Sequence, residues 1–299
     1  MAIKNVSILG ADGLLGRPIL EALLAAGFKV TVLKRQGSKS PDQYPESVAV
    51  ARVPDDMPVA FLKNTLRGQD ALVVAIKGTQ TDVQKKLADA CVAAGVKRFI
   101  PADFGSCDSS SELTQELVPL YKNKTELREY LVQAANTNSA FSWSSVVCGH
   151  FFDWSLEFVH IFLKERRADV LNDGEKKSSM ATLARVGEVT ARILQRPEQT
   201  ANQMVYVQSF CVSQNEVIRA FEQATGEKWQ VAKLDAEEFK DAEKAKADKG
   251  EKAALEELVW YLGAVDADWT KNEGFAMKIL GLEDEDLQEA VDKVVQSHK

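Results

Sequence analysis

The chain has 299 residues, enough for one large domain or two moderate ones with a real core, and its 45% hydrophobic and 27% charged residues are those of an ordinary soluble protein. A net charge of −7 argues against general binding to nucleic acid or anionic membranes, and no apolar run approaches the roughly 18 residues of a membrane span. Four scattered cysteines (Cys91, Cys107, Cys148 and Cys211), with no CxxC and no Cys/His cluster, argue against a metal site and a disulfide framework; with no segment that reads as a signal peptide, a reduced, cytoplasmic setting is expected.

Val6-Ser7-Ile8-Leu9 reads as a buried strand. The turn Gly10-Ala11-Asp12-Gly13-Leu14-Leu15-Gly16 follows at once, and Ile19 to Ala26 reads as a helix. Strand, GxxGxxG turn and helix are how a dinucleotide-binding unit begins. The glycines let backbone approach a pyrophosphate, whose charge sits at the positive end of the helix. Phe28 to Leu33 is the next strand. An NAD site carries an acid at the end of that strand for the ribose 2′-hydroxyl. Here Leu33-Lys34-Arg35, with Lys39 beyond, supplies three cations and no acid. That pattern fits a 2′-phosphate, so NADP(H) is the expected cofactor. Asp12 is out of place in a phosphate-binding turn. Either it turns away to cap the helix amides or it weakens phosphate binding.

Further along, Asp70 to Ile76 is a strand, Val83 to Ala94 a helix, Arg98-Phe99-Ile100 a strand ended by Pro101, Glu116 to Ala135 a long helix and Ser142 to Val147 a strand. Strands alternating with helices imply right-handed crossovers and a parallel sheet. After His150 the alternation weakens. The pattern predicts an aromatic-rich helix over Asp153 to Arg166, a turn ending Val170 to Gly174, an amphipathic segment from Leu183 to Leu194 and a strand at Met204 to Val207. A helix from Gln214 to Thr225, a strand at Trp229 to Lys233, charged helix from Asp235 to Leu262 broken at Lys249-Gly250, and a terminal helix at Asp284 to Val295 complete it. Gln36 to Tyr44 and the serine-rich Ser106 to Thr114 read as mobile loops, of the kind that act as lids beside a nucleotide.

The long helix carries the sharpest chemical signal. Leu117, Leu120, Tyr121, Leu127 and Leu131 all lie within about 60° of Lys124 on the helical wheel. Lys124 therefore sits at the centre of the buried face, while Lys122 points the opposite way. A lysine buried without a partner costs several kcal/mol or loses its proton, and such an amine serves as a general acid or base. The alternatives are a lysine that snorkels from the helix edge or one that pairs with an acid such as Asp103.

Four blocks resemble the isoflavone reductase/NmrA-like family of atypical short-chain dehydrogenase relatives: GADGLLG, the Leu33-Lys34-Arg35 strand end, AGVKRFIPADFG at Ala94 to Gly105 and YKNKTELREYL at Tyr121 to Leu131. VVCGHFFDW at Val146 to Trp154 and NDGEKKSS at Asn172 to Ser179 look like its fungal branch. The resemblance implies an α/β fold, with a Rossmann-type doubly wound parallel sheet over residues 1–155. A smaller α+β substrate domain would span 156–299, some of its segments packing back on the sheet, with a cleft between the two. The family's catalytic lysine follows an aromatic by three residues, as Lys124 follows Tyr121. The short-chain YxxxK pair is absent.

The resemblance further places Ala75, Ile76, Lys77 and Gly78 along the adenosine and pyrophosphate. It matches Gln84 to a family glutamine and sets Ala102, Asp103 and Phe104 on the nicotinamide side, with Val147, Cys148 and Gly149 against the ring. His150 is the remaining polar candidate for substrate, with Phe151, Phe152 and Trp154 as an aromatic wall; a satisfied histidine and ordinary core aromatics are the competing readings. Two departures stand out: Ala11-Asp12 where the family has a small residue and then Thr or Ser, and Leu14 where it has an aromatic. The implied activity is an NADPH-dependent reductase of a small aromatic or polyketide-like metabolite, working as a monomer or homodimer. The alternatives are a redox-sensing regulator that binds NADP(H) without turnover and a redox-neutral isomerase or cyclase.

Overall fold

Strands such as Asn5–Leu9 and Ala71–Val74 carry apolar residues on both faces, so they are stable only in a sheet covered on both sides. The computed structural model, which describes residues 2–298, builds that sheet from parallel strands and crossover helices. In chain order the first elements are β1 (Asn5–Leu9), α1 (Gly16–Ala25), β2 (Lys29–Arg35), β3 (Ala49–Val53), α2 (Val59–Thr65), β4 (Ala71–Val74), α3 (Thr81–Ala94) and β5 (Arg98–Ile100). Then come α4 (Glu112–Leu117), α5 (Leu120–Thr137), β6 (Ser142–Val147), β7 (His150–Phe151), β8 (Ile161–Phe162), β9 (Arg167–Leu171) and β10 (Lys177–Ala181). The rest are α6 (Leu183–Gln195), β11 (Gln203–Tyr206), β12 (Phe210–Ser213), α7 (Gln214–Thr225), β13 (Gln230–Leu234), α8 (Ala236–Ala247), α9 (Lys252–Val265), α10 (Met277–Leu280) and α11 (Leu287–Ser297).

The chain divides into two units, each assembled from three stretches. The first comprises residues up to Phe104, Lys122–Val146 and Ala184–Val205. Its seven-stranded sheet has the order β11-β6-β5-β4-β1-β2-β3, and every pair from β6 to β3 is parallel. The order reverses on either side of β1, which puts the Gly10–Gly16 turn at the carboxyl ends of β1 and β4, where open α/β sheets bind ligands. One apolar cluster runs from Leu9 and Leu33 through Leu72 and Val74 to Leu127 and Leu131. Because β11 pairs with β6, residues far along the sequence belong to this sheet, and no single cut near residue 155 separates the units. Gly187 on α6 shows how closely its helix packs: a Cβ there would lie 2.4 Å from the Pro18 carbonyl oxygen.

The second unit comprises Gly105–Tyr121, Val147–Leu183 and the chain from Tyr206 onward. It contains two three-stranded sheets, β12-β10-β7 and β13-β9-β8, and a core of Phe152, Leu156, Val170, Phe210, Phe221 and Val291. Two sequence expectations change. Asp153 to Arg166 is not a helix. It holds a single 3-10 turn at Glu157–Val159 and then β8, and the left-handed backbone at His160 (φ 58°) and Arg166 (φ 51°) bars helix continuation. The long helix begins at Leu120 rather than Glu116. Val118 precedes Pro119, which drives it to extended backbone (φ −131°, ψ 101°) and separates α4 from α5.

Candidate active site

The glycine turn is dictated by contact. Gly10 has φ +93°, and a Cβ there would lie 2.3 Å from the Ala75 carbonyl oxygen, while a Cβ on Gly16 would lie 1.9 Å from the Gly10 oxygen. Neither position accepts a side chain. Gly13 is less crowded: a Cβ there would lie 3.3 Å from the Gly10 carbonyl oxygen and 4.0 Å from that of Ala75, tight but without overlap. Among the described residues no side chain caps the start of α1, where Leu15 stands. An open helix N-terminus beside glycine backbone is an anion cradle, and it fits the pyrophosphate of a dinucleotide.

Asp12 neither caps the helix nor faces that cradle unpaired. Its carboxylate accepts hydrogen bonds from Ser40 Oγ and from Tyr44 Oη (2.5 Å), and Lys34 Nζ lies 3.2 Å away. Burial works to raise the Asp12 pKa, but the bonds from Ser40, Tyr44 and Lys34 outweigh it and hold the carboxyl below its ordinary value. Lys34, whose side chain is 3% exposed, also meets Asp42 Oδ1 (2.7 Å) and the Pro41 carbonyl (2.9 Å), and Asp42 in turn accepts from Arg52 at 2.5 Å. The segment 36–44, expected to be a mobile loop, is thus pinned to the glycine turn by an alternating chain of charges. Arg35 and Lys39 stay exposed, with Asp55 4.0 Å from the Arg35 guanidinium.

The second cluster surrounds Lys124, which is buried on α5 as the wheel requires. Nζ donates to the Asp103 carbonyl at 2.6 Å and lies 3.3 Å from Asp103 Oδ1; the other carboxylate oxygen accepts from Ser145 Oγ at 2.6 Å. The pairing alternative therefore describes the geometry: the amine meets a carboxylate that is itself 4% exposed. Gln84, buried on α3, accepts from the Ala102 amide at 2.7 Å and so fixes the backbone that carries Asp103. Gly78, Gln84, Ala102, Asp103, Lys124 and Ser145 line one recess. Ser145 escaped sequence reading, though a serine facing inward in a buried strand was the available signal. Phe104 is buried with φ 39°, while Ala75, Ile76 and Lys77 follow β4 beside the glycine turn.

In the second unit the strand end Val147-Cys148-Gly149 is buried. Cys148 donates its amide to the Gly105 carbonyl at 2.9 Å, and Gly149 (φ +71°) abuts Ser179. His150 is a core residue: Nε2 donates to the Val259 carbonyl at 3.1 Å, the ring meets Phe158 edge-on, and burial pushes its pKa down to about 4. Gly263 makes the seat, since a Cβ there would lie 1.9 Å from Nε2. Phe152 is likewise absorbed by the core, edge-on to Phe210 at 5.0 Å. Phe151 is half-buried and Trp154 exposed, leaving these two of the aromatic group with surface to offer.

A model of the NmrA-like family matches residues 3–278. Oxidoreductase aprR of Aspergillus flavus is 33% identical over 300 residues, covering 99% of each chain. Among solved structures, a leucoanthocyanidin reductase–NADPH complex from Vitis vinifera superposes with a TM-score of 0.80 at 16% identity, covering 98% of this chain and 99% of that one. AtPrR2 with NADP+ and (+)pinoresinol gives 0.76 at 19% identity over the same shares. At these identities the structures speak for the fold, whereas the family model and aprR span the sequence itself. The chain belongs to the NmrA-like family, as an isoflavone reductase-like oxidoreductase.

Proposed function

We propose that the protein is an NADPH-dependent reductase of a small aromatic or polyketide-like metabolite, with Lys124 as the general acid/base. The observation that carries this reading is the buried Lys124–Asp103–Ser145 arrangement, lining one recess with Gly78 and Gln84 in the unit that holds the glycine cradle. Gly10, Ala11, Gly13, Leu14, Leu15 and Gly16 would hold the pyrophosphate, with Arg35 and Lys39 at the 2′-phosphate and Ala75 to Gly78 along the adenosine side. Ala102 to Phe104 and Val147 to Gly149 would flank the nicotinamide, which supplies a hydride when bound. The names of the relatives support the chemistry: a leucoanthocyanidin reductase that holds NADPH, and AtPrR2, which holds NADP+ and (+)pinoresinol.

Lys124 holds or gives its proton at Nζ. The Asp103 carbonyl and carboxylate keep that amine in one rotamer, and Ser145 fixes the carboxylate in turn. A proton donor held by the carbonyl and the carboxylate of one residue loses little entropy when a phenol or carbonyl oxygen arrives. Phe151 and Trp154 are the proposed aromatic contacts to substrate. Lys124→Ala should lower kcat about 10²- to 10⁴-fold against a panel of aromatic enones and ketones, the range general acid–base catalysis supplies. NADPH binding, read by fluorescence titration, should stay within about threefold, because the charge lost is not a phosphate ligand. Retained turnover would remove Lys124 from the mechanism.

A further inference from the structure

Lys34 Nζ has three N–H donors. Four acceptors already surround it: Asp42 Oδ1 at 2.7 Å, the Pro41 carbonyl at 2.9 Å, Asp12 Oδ2 at 3.2 Å and Tyr44 Oη at 3.4 Å. The ammonium is saturated and buried. Burial works to lower its pKa, but its partners, Asp42 first and then Asp12, outweigh that and hold it above its ordinary value. Arg52 donates to the same Asp42. Two cations and two carboxylates in this chain cancel, and what faces solvent at the strand end is Arg35 and Lys39. The sequence alone counts three cations for a 2′-phosphate; the structure withdraws Lys34.

We infer that Asp12 is a specificity-determining residue: by opposing the 2′-phosphate and by helping Asp42 to sequester Lys34 it restrains the preference for NADPH over NADH, leaving the discrimination to Arg35 and Lys39. The inference rests on the proposed nucleotide-binding role of the glycine turn. The physical reasoning is one of charge and donor count. A carboxylate in the turn opposes a 2′-phosphate dianion directly, and it also holds the amine that would otherwise answer that charge. The 2′-hydroxyl of NADH carries no such charge, so both effects fall on one nucleotide.

Neutralising Asp12 tests this. Asp12→Asn keeps the shape and an acceptor oxygen while removing the charge. At low ionic strength it should tighten NADPH roughly three- to tenfold, with NADH changing less than about twofold. Measured against Lys34→Met, the gain in Asp12→Asn/Lys34→Met should be smaller but not absent, because the direct repulsion is still relieved while the amine's share is lost. Arg35→Ala should weaken NADPH much more than NADH in either background. Ser40→Ala removes one bond to Asp12 but no charge, so it should leave the ratio of dissociation constants unchanged. Amide exchange of residues 37–44 reports separately whether the loop stays ordered. Equal changes in both dissociation constants, or a gain undiminished by the loss of Lys34, would overturn the inference by showing that Asp12 acts on loop order or on bulk charge and not through Lys34. A wild-type protein that binds neither nucleotide would instead overturn the nucleotide-binding reading itself.

Discussion

At the scale of the residue, histidine in this fold is read by its neighbours and not by its position. His150 follows the strand end that the resemblance places at the nicotinamide, yet its imidazole is 4% exposed and its Nε2 proton goes to the Val259 carbonyl. Burial lowers its pKa from 6.5 to about 4. In the folded protein it is therefore neutral through the weakly acidic range, while the unfolded chain takes up a proton below its ordinary value. The stability this neutral histidine permits is fully present above pH 6.5, declines as the pH falls and levels off near 4. The total is roughly 3 kcal/mol. Urea denaturation of wild type and His150→Gln across this range should show the wild type losing more stability than the variant, by about 2–3 kcal/mol at the acid end. Parallel losses would mean that His150 is not a buried neutral group. The burial of Lys124 was legible in the sequence because helical periodicity fixes which face a residue occupies. Asp103 was one of the alternatives the sequence left open for it, but Ser145, which bonds the Asp103 carboxylate from β6, was not, because periodicity says nothing of what another element brings to a side chain.

At the scale of the element, the strands and helices with strong periods were readable, and the failures sit where backbone conformation overrides composition. The aromatic-rich run Asp153 to Arg166 has the composition of a helix but left-handed residues at His160 and Arg166. The long helix expected from Glu116 has the right residues but Pro119 near its expected start, so it begins about a turn later, at Leu120. The loop 36–44 has the composition of a lid, and a charge chain too dispersed in sequence to be seen ties it down. Gly149 is the sharpest case of backbone control. It stands between β6 and β7 with φ +71°, and a Cβ there would lie 1.8 Å from the Ser179 carbonyl oxygen. That oxygen belongs to β10, which pairs with β7 through Met180 and His150, so it cannot retreat without breaking the sheet. Gly149→Ala should therefore cost about 3 kcal/mol or more. Thermal denaturation would show a large drop for this variant and a much smaller one for Gly68→Ala, whose Cβ position is open. Similar small losses at both sites would show that the β6–β7 junction yields easily.

At the scale of the whole molecule, the chain leaves the first unit three times and returns to it twice, and Arg98 holds the last return in place. Its guanidinium is 1% exposed on β5. It donates to Ser142 Oγ (3.0 Å) and Ser144 Oγ (2.7 Å) on β6, to Thr200 Oγ1 (3.0 Å), and to the Pro197 carbonyl. Thr200 and Pro197 lie between α6 and β11, so one side chain joins two sheet strands to the segment that delivers the edge strand. Burial lowers its pKa to about 10, which still leaves it charged at neutral pH. No sequence pattern announces this: an arginine opening a short strand before Phe99-Ile100 reads as an exposed strand end. Removing it strands buried acceptors that water cannot reach. Arg98→Ala should cost about 2–4 kcal/mol. The loss should be local before it is global, with amide exchange in β11 rising by an order of magnitude or more while β1 and β4 stay protected. Arg98→Lys should recover part of the loss, because an ammonium can serve one or two of these acceptors but lacks the planar fork that reaches both Ser142 and Thr200. Exchange that rises evenly across the sheet would place the role of Arg98 in the core as a whole, and unchanged exchange would mean that the 196–205 segment is held by its other contacts, among them the Asn202 amide on the Trp143 carbonyl.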